Sequence, residues 1–401
     1  MEPYVPLTDG FAAVLADWAA KVPRDRMESI TPERVRAVLN AGSMGPDDFL
    51  ALLSPAAALF LEPMALRARD ETIRNFGRSV QFFTPLYLAN FCTNRCVYCG
   101  FNAKRDIPRH MLRAEEIEAE AVHIAATDLR RVLALTGDAP AKTGAAYLAD
   151  AVRILARHFP SVGIEVPSMS VEEYALVVDA GVDSMTMFQE TYQRELYLSL
   201  HPTGPKRDFY RRLDAPERAV TGGVRAVNLG PLLGLDDWRL DVFMTGMHMH
   251  YLQNKYPHLE VSVSLPRMRP CGDAPEAPGA DEERTFRPLD VSDAELVQAL
   301  TALRCFLPQS GITLSTREPA ALRDSLIPLG VTRVSAGVST AVGGHAVQKE
   351  GADSAPQFDI SDPRSVAEMA DAVETLGYQP VFTDWLPTRA EYMVTPAGAS
   401  R

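Results

Sequence analysis

Three of the chain's five cysteines fall within eight residues: Cys92, Cys96 and Cys99, in the run Phe91-Cys-Thr-Asn-Arg-Cys-Val-Tyr-Cys-Gly-Phe101. The C-x3-C-x2-C spacing puts three thiols on one short loop. A structural zinc site closes with four protein ligands, and an ordinary cubane iron–sulfur cluster with four thiolates. No fourth cysteine lies nearer than Cys271. Three thiolates on a four-iron cluster leave one iron open to bind and activate another molecule, and the spacing favours that chemistry. Two other readings stand beside it. Closely spaced thiols can pair as disulfides, and a zinc knuckle would have to recruit His110, eleven residues beyond Cys99, at an unusual spacing.

A reactive loop needs a rigid frame. Short apolar runs recur at Val80–Leu88, Arg131–Leu135, Gly163–Val166, Ser184–Phe188, Val224–Leu229, Glu260–Ser264, Ile312–Ser315 and Arg333–Ser335. Between most of them lie amphipathic stretches: Arg113–Thr127, Ala145–Arg157, Val171–Ala180, Ala215–Gly222, Arg239–Tyr256 and Asp293–Phe306. This alternation predicts an α/β chain closing as a (β/α)8 barrel, with a six-strand partial barrel as the near alternative. Residues 1–78 read as a helical extension, with N-terminal signals at Thr31-Pro32 and Ser54-Pro55. Residues 79–386 read as the barrel and 387–401 as a tail. The Pro-, Gly- and acid-rich stretch Pro270–Asp281 reads as an exposed loop.

Composition narrows the class. In 401 residues, 46% hydrophobic content supports a large core, and a net charge of −12 argues against nonspecific binding to nucleic acid or an anionic membrane. The odd cysteine count, the absence of a basic-then-apolar leader and the lack of a long apolar run point to a soluble protein of a reducing cytoplasm.

Barrel chemistry gathers where strands end. The cysteine loop follows the first strand directly. Its expected neighbours close later strands: Thr136-Gly137-Asp138, Glu165, Gln189-Glu190, Arg267, Arg269, Thr316-Arg317-Glu318 and Ser335. Other features read as structural. His248 and His250 are spaced i, i+2 on a helix and do not share a face. Cys271 and Cys305 have no partner in the sequence pattern.

The residues resemble a known family, the radical S-adenosylmethionine enzymes, and within them the 2-iminoacetate synthases, the tyrosine lyases of thiamine thiazole biosynthesis. The resemblance runs from about residue 30 to 386, and its specificity lies in the combination of motifs. These are Pro85-Leu-Tyr-Leu-Ala-Asn-Phe-Cys92, Tyr98-Cys-Gly-Phe101, Gln189-Glu-Thr-Tyr192, Leu233-Gly-Leu-Asp-Asp-Trp-Arg239, Leu265-Pro-Arg-Met-Arg-Pro270, Leu314-Ser-Thr-Arg-Glu318, Ser335-Ala-Gly337 and Gln379-Pro-Val-Phe-Thr-Asp-Trp385. It implies a TIM-type radical SAM barrel and a 4Fe–4S cluster on Cys92, Cys96 and Cys99. It also implies S-adenosylmethionine bound at the open iron and cleaved to a 5′-deoxyadenosyl radical. The implied reaction breaks the Cα–Cβ bond of L-tyrosine, giving 2-iminoacetate (dehydroglycine) and p-cresol. Another aromatic amino acid such as tryptophan is the alternative substrate.

The resemblance also implies roles for single residues. Arg317 would bind the substrate carboxylate, with a barrel-mouth salt bridge to Glu318 or Asp324 as the alternative. Tyr87 and Ser335 match substrate contacts of a related tryptophan lyase, and Tyr87 can equally be a core aromatic. Thr136, Gly137 and Asp138 occupy the turn that binds the methionyl amino group; relatives usually carry Glu where this chain has Asp138. Glu190 is placed to hold the ribose hydroxyls, Glu165 stands at the mouth, and Gly230 with Leu232 to Gly234 ends the strand where relatives pack the adenine or serves packing alone. His345 replaces a Tyr often found in the family. The implied partners are reduced flavodoxin or ferredoxin as electron donor and a thiazole synthase. The hydrogenase maturase that also cleaves tyrosine carries a C-terminal cysteine triplet, whereas this chain has no cysteine after Cys305.

Overall fold

The computed structural model describes residues 4–22, 24–269, 286–346 and 356–383. Cys271, the Pro270–Asp281 loop and the 387–401 tail lie outside the described residues. Nine strands form one parallel sheet: β1 Ser79–Ala89, β2 Arg131–Thr136, β3 Ser161–Glu165, β4 Val182–Glu190, β5 Ala226–Pro231, β6 Glu260–Ser264, β7 Gly311–Leu314, β8 Arg333–Ser335 and β9 Gln379–Val381. The first eight run in sequence order, and β1 pairs with both β2 (Thr84 opposite Val132) and β8 (Gln81 opposite Arg333), so the ring closes. The eight-strand reading therefore holds over the six-strand alternative. β1 and β2 read as near-continuous apolar runs, as strands buried on both faces do, whereas β3 to β6 alternate apolar residues with small or polar ones.

The ninth strand was not anticipated. Gln81 pairs with Arg333 on one side and Val381 on the other, so β9 takes the lower part of the β1 edge that β2 uses from Thr84 upward. Three residues, one of them Pro380, give almost no strand signal. The fifth strand starts at Ala226, two residues later than the apolar run suggests. There the chain first turns through Gly223 at φ +98°, and Val224 N still bonds Ala219 O of the preceding helix.

The helix starts follow their caps. Ser170 with Glu173, Ser292 with Glu295 and Ser365 with Glu368 form reciprocal capping boxes. Thr31 caps Pro32–Leu39 as read. The stretch after Ser54 begins as a 3-10 turn, Pro55–Phe60, and becomes α-helical at Leu61, which leaves Pro63 in a first turn where its missing N–H costs nothing. The helices before β1 share one contiguous apolar core with the barrel. Phe49 stacks on Phe306 at 4.5 Å and also faces Gly246, where a Cβ would come within 2.4 Å of its ring. Among the described residues, no single helix is long and apolar enough to cross a membrane.

Candidate active site

The barrel interior is open. TIM barrels are usually filled by layers of branched side chains. Here Gly163, Ser184, Asn228, Ser262 and Thr313 point inward and leave a cavity of about 260 Å³ that reaches the three cysteines. Small and polar inward residues keep the volume free and wettable, so a polar ligand can be held inside.

The cysteine loop is held by its own polar side chains. Buried Asn90 donates to Pro108 O at 2.9 Å and accepts from His110 N at 2.7 Å. The Arg109 guanidinium donates to Asn90 O (2.6 Å), Phe101 O (2.9 Å) and Asn102 O (2.7 Å). Asn102 Nδ2 in turn donates to Cys96 O at 2.9 Å. The loop is thus fixed before any ligand arrives. All three thiols line the cavity. Burial pushes the Cys92 thiol up and the Cys96 thiol to about 12, with the neighbouring thiols adding to both. A metal centre, which binds thiols as thiolates, would offset that burial cost. Among the described residues no three His, Cys, Asp or Glu side chains draw together tightly enough for one ion. Three cysteines spread around one end of a cavity fit a cluster of several irons better than a lone zinc.

Around that loop the structure gathers most of the residues expected from the sequence. A Cβ at Gly137 would lie 2.3 Å from Phe91 O, so only glycine lets the end of β2 lie against the cysteine loop. Asp138 O accepts from Thr93 N at 2.8 Å and from Thr93 Oγ1 at 3.0 Å. Asp138 Oδ2 accepts from Asn94 Nδ2 at 2.7 Å, while its Oδ1 is buried without a partner and burial raises its carboxyl. Thr136 Oγ1 is likewise buried and unpartnered. Both residues line the cavity, and neither oxygen has a hydrogen-bond partner among the described residues.

Glu190 ends β4 at φ +72°, a left-handed conformation rare for a residue with a side chain. Its Oε1 accepts from Lys206 Nζ at 2.5 Å and lies 3.6 Å from Arg212. Buried Asp241 holds the turn just beyond, accepting from Thr191 Oγ1 at 3.0 Å and Tyr192 N at 2.8 Å. Glu165, at the end of β3, faces the cavity with no hydrogen-bond partner among the described residues. Burial first, then the charge of Glu190, raises its carboxyl to about 7.

Arg317 faces the cavity beyond β7. Its guanidinium stacks on Phe358 at 3.6 Å and makes only a 3.5 Å contact to Arg267 O. The expected competitors are engaged elsewhere: Glu318 pairs with Arg267 and with Arg269 (2.9 Å), and Asp324 with Arg364 (2.9 Å). Burial lowers the Arg317 pKa, and the nearby Tyr87, Glu165 and Glu190 offset this only in part. Ser335 Oγ is buried and unpartnered on the cavity wall, and Tyr87 OH donates to Gln357 Oε1 at 2.7 Å.

Some expected residues sit elsewhere. Gly230 packs inside β5, where a Cβ would meet Ser264 O at 2.2 Å and the Phe188 ring at 3.0 Å; Leu232, not Gly230, lines the cavity. Arg267 is tied to Glu318, Asp293 and Val291 O, a structural role, while Arg269 lines the rim. His248 stacks on Phe11 at 4.0 Å and His250 bonds Asn254 at 3.0 Å, so the two histidines do face different ways. His345 Nε2 contacts Pro85 O at 3.0 Å, and Cys305 is a buried free thiol. The sequence reading missed Asn94, Lys206, Arg212, Gln357 and Phe358. The only advance signal was the basic run Lys206–Arg212 after the fourth strand.

Comparison with known proteins places this site. The Radical SAM superfamily model matches residues 86–244, and the Biotin and Thiamin Synthesis associated domain matches residues 264–379. The chain is 38% identical over 363 residues to 2-iminoacetate synthase of Salmonella typhimurium, covering 90% of this chain and 93% of that one. It is also 38% identical over 366 residues to 2-iminoacetate synthase of Escherichia coli, with the same coverage. The FeFe-hydrogenase maturase HydG from Carboxydothermus hydrogenoformans superposes with a TM-score of 0.79 at 26% identity, covering 93% of this chain and 84% of that one. Methylornithine synthase shares the fold at a TM-score of 0.64 and 20% identity, covering 87% of this chain and 97% of that one. Radical SAM enzymes use a 4Fe–4S cluster and S-adenosylmethionine, and the three cysteines and the polar cavity fit both. By sequence along nearly its whole length and by fold, this chain belongs to the 2-iminoacetate synthase family of radical SAM enzymes.

Proposed function

We propose that this chain is a radical SAM lyase that breaks the Cα–Cβ bond of L-tyrosine to give 2-iminoacetate and p-cresol for thiamine thiazole biosynthesis. The observation that supports the substrate side is Arg317: a guanidinium in the same cavity as the three cysteines, with no ion-pair partner among the described residues. When bound, the cluster and S-adenosylmethionine supply a 5′-deoxyadenosyl radical that takes hydrogen from the substrate's amino group. A radical of that kind needs positioning more than acid–base help. Arg317 fixes the carboxylate through its two-pronged fork, and stacking on Phe358 keeps the fork in plane. Tyr87 and Ser335 close the same end. On the other side, Thr136 to Asp138 receive the methionyl amino group. Glu190, braced by Lys206, and Glu165 take the ribose hydroxyls, since a carboxylate can accept from two hydroxyls at once. The pinned cysteine loop and the barrel wall hold bulk water away from the reacting atoms.

The setting follows from the same reading. The enzyme works in a reducing cytoplasm, draws its electron from reduced flavodoxin or ferredoxin, and hands an unstable imine to a thiazole synthase. Residues 79–386 act as the catalytic barrel, with residues 1–78 as a buttress. The test is substrate competition. With reconstituted protein, tyrosine should yield p-cresol and tryptophan should yield no cleavage product. Preferential cleavage of tryptophan would move the function to the related aromatic lyases.

A further inference from the structure

Beyond β8, residues 356–362 lie along the cavity wall as a strap tied by hydrogen bonds. Gln357 N donates to Thr340 O at 3.0 Å, and Thr340 Oγ1 donates to Phe358 O at 2.8 Å. Further on, Ser361 N and Asp362 N donate to Thr316 O at 2.8 and 3.3 Å, and buried Arg323 pairs with Asp362. The strap is therefore tied both to the turn before Arg317 and to the loop after β8. It presents Gln357 and Phe358 to the cavity.

Gln357 faces two ways. Its Oε1 accepts from Tyr87 OH at 2.7 Å, and its Nε2 donates to Cys99 Sγ at 3.9 Å, within the longer reach of sulfur acceptors. The orientation is fixed by chemistry. A cysteine sulfur bound to a cluster only accepts, so in the cluster-loaded protein the NH2 end must face Cys99, which leaves the carbonyl end for Tyr87. A hydrogen bond to a cluster thiolate stabilises the reduced, more negative cluster and raises its potential.

We propose that Gln357 is a positioning residue joining the two halves of the site: it holds the Tyr87 hydroxyl for the substrate and, through Cys99, sets the potential of the cluster. The proposal deepens the function given above and rests on it for the substrate arm alone. The experiment uses cluster-reconstituted protein, with iron content measured first, an EPR-monitored redox titration, and KM for tyrosine. Gln357→Leu loses both contacts; the cluster potential moves more negative and KM for tyrosine rises about tenfold, the usual cost of one hydrogen bond of this kind. Gln357→Glu keeps an acceptor for Tyr87 but has no N–H for sulfur, so the potential moves more negative while KM stays near wild type. Phe358→Leu raises KM and leaves the potential unchanged. A strap of purely structural value would alter stability and iron content in all three and leave the potential where it was. Full iron content with a wild-type potential in both Gln357 variants overturns the proposal. If Gln357→Leu does not hold iron, Gln357→Glu decides alone. The potential is read without tyrosine, so a protein that fails to cleave tyrosine refutes the proposed function while this test still returns its own answer.

Discussion

Replacing Arg317 is the most informative perturbation of the substrate site. Among the described residues its guanidinium makes no ion pair, and it contacts the Phe358 ring at 3.6 Å and Arg267 O at 3.5 Å. Removing it breaks little of the protein's own bonding, so the loss falls on the ligand. Truncating one partner of a buried charge pair costs about 2–5 kcal/mol, and at about 1.4 kcal/mol per decade this is roughly 30- to 5000-fold in kcat/KM. Arg317→Ala is therefore expected to lose that much toward tyrosine while S-adenosylmethionine affinity holds within a few-fold. Arg317→Lys keeps the charge but loses the fork and the stacking, and falls between, on the order of tenfold below wild type. The assay is the initial rate of p-cresol formation against tyrosine concentration, with S-adenosylmethionine binding measured separately. Tyramine, which has no carboxylate, is the control: Arg317→Ala and wild type should bind it alike. An unchanged KM for tyrosine, or an equal loss toward tyramine, refutes the assignment of Arg317 to the carboxylate.

Three further outcomes follow from the geometry. Gly137→Ala forces a Cβ to within 2.3 Å of Phe91 O, so β2 and the cysteine loop must separate; reconstituted iron content and S-adenosylmethionine affinity should both fall, and wild-type loading would contradict the close approach. Arg109→Ala removes three short donations to loop carbonyls; the cluster should be lost several-fold faster on exposure to chelator, with the barrel's circular dichroism unchanged. Glu165 binds its proton more tightly folded than unfolded, at about 7 against 4.5. Its contribution is fully present below 4.5 and is lost as pH rises through 7, roughly 3 kcal/mol at most. Glu165→Gln should flatten that part of the pH dependence in urea unfolding of the cluster-free protein, and an unaltered slope would deny the buried carboxyl its role.

Strands such as Ser79–Ala89 and Arg131–Thr136 were legible because apolar runs in a chain that alternates them with amphipathic helices carry a strong local signal. So was the position of the cysteine loop, because the chain passes directly from β1 into it. Strand β9 was not legible, since three residues with a proline have no periodicity to read. The site divides along the same line. Residues that close strands, such as Gly137, Glu190 and Arg317, could be picked out by position. Partners that arrive from distant loops could not: Gln357 reaches Tyr87 across 270 positions, and Asn94 takes Lys206 N across 112. The fate of Arg317 was likewise undecidable from sequence. Glu318 is its neighbour in the chain, yet the fold turns that carboxylate toward Arg267 and Arg269 and leaves Arg317 to the cavity. Gly230 shows the converse, a strand-end glycine whose close approach to Phe188 and Ser264 gives it a packing reason of its own.

The central claim is that the cysteine loop and the Arg317 end of one cavity together cleave tyrosine by a radical route. It is tested most directly by an anaerobic turnover of the cluster-reconstituted protein with reductant, S-adenosylmethionine and tyrosine, quantifying 5′-deoxyadenosine and p-cresol together. Both should appear in step, and both should vanish in Cys96→Ala. p-Cresol that persists without Cys96, or a verified cluster that gives neither product, would contradict it.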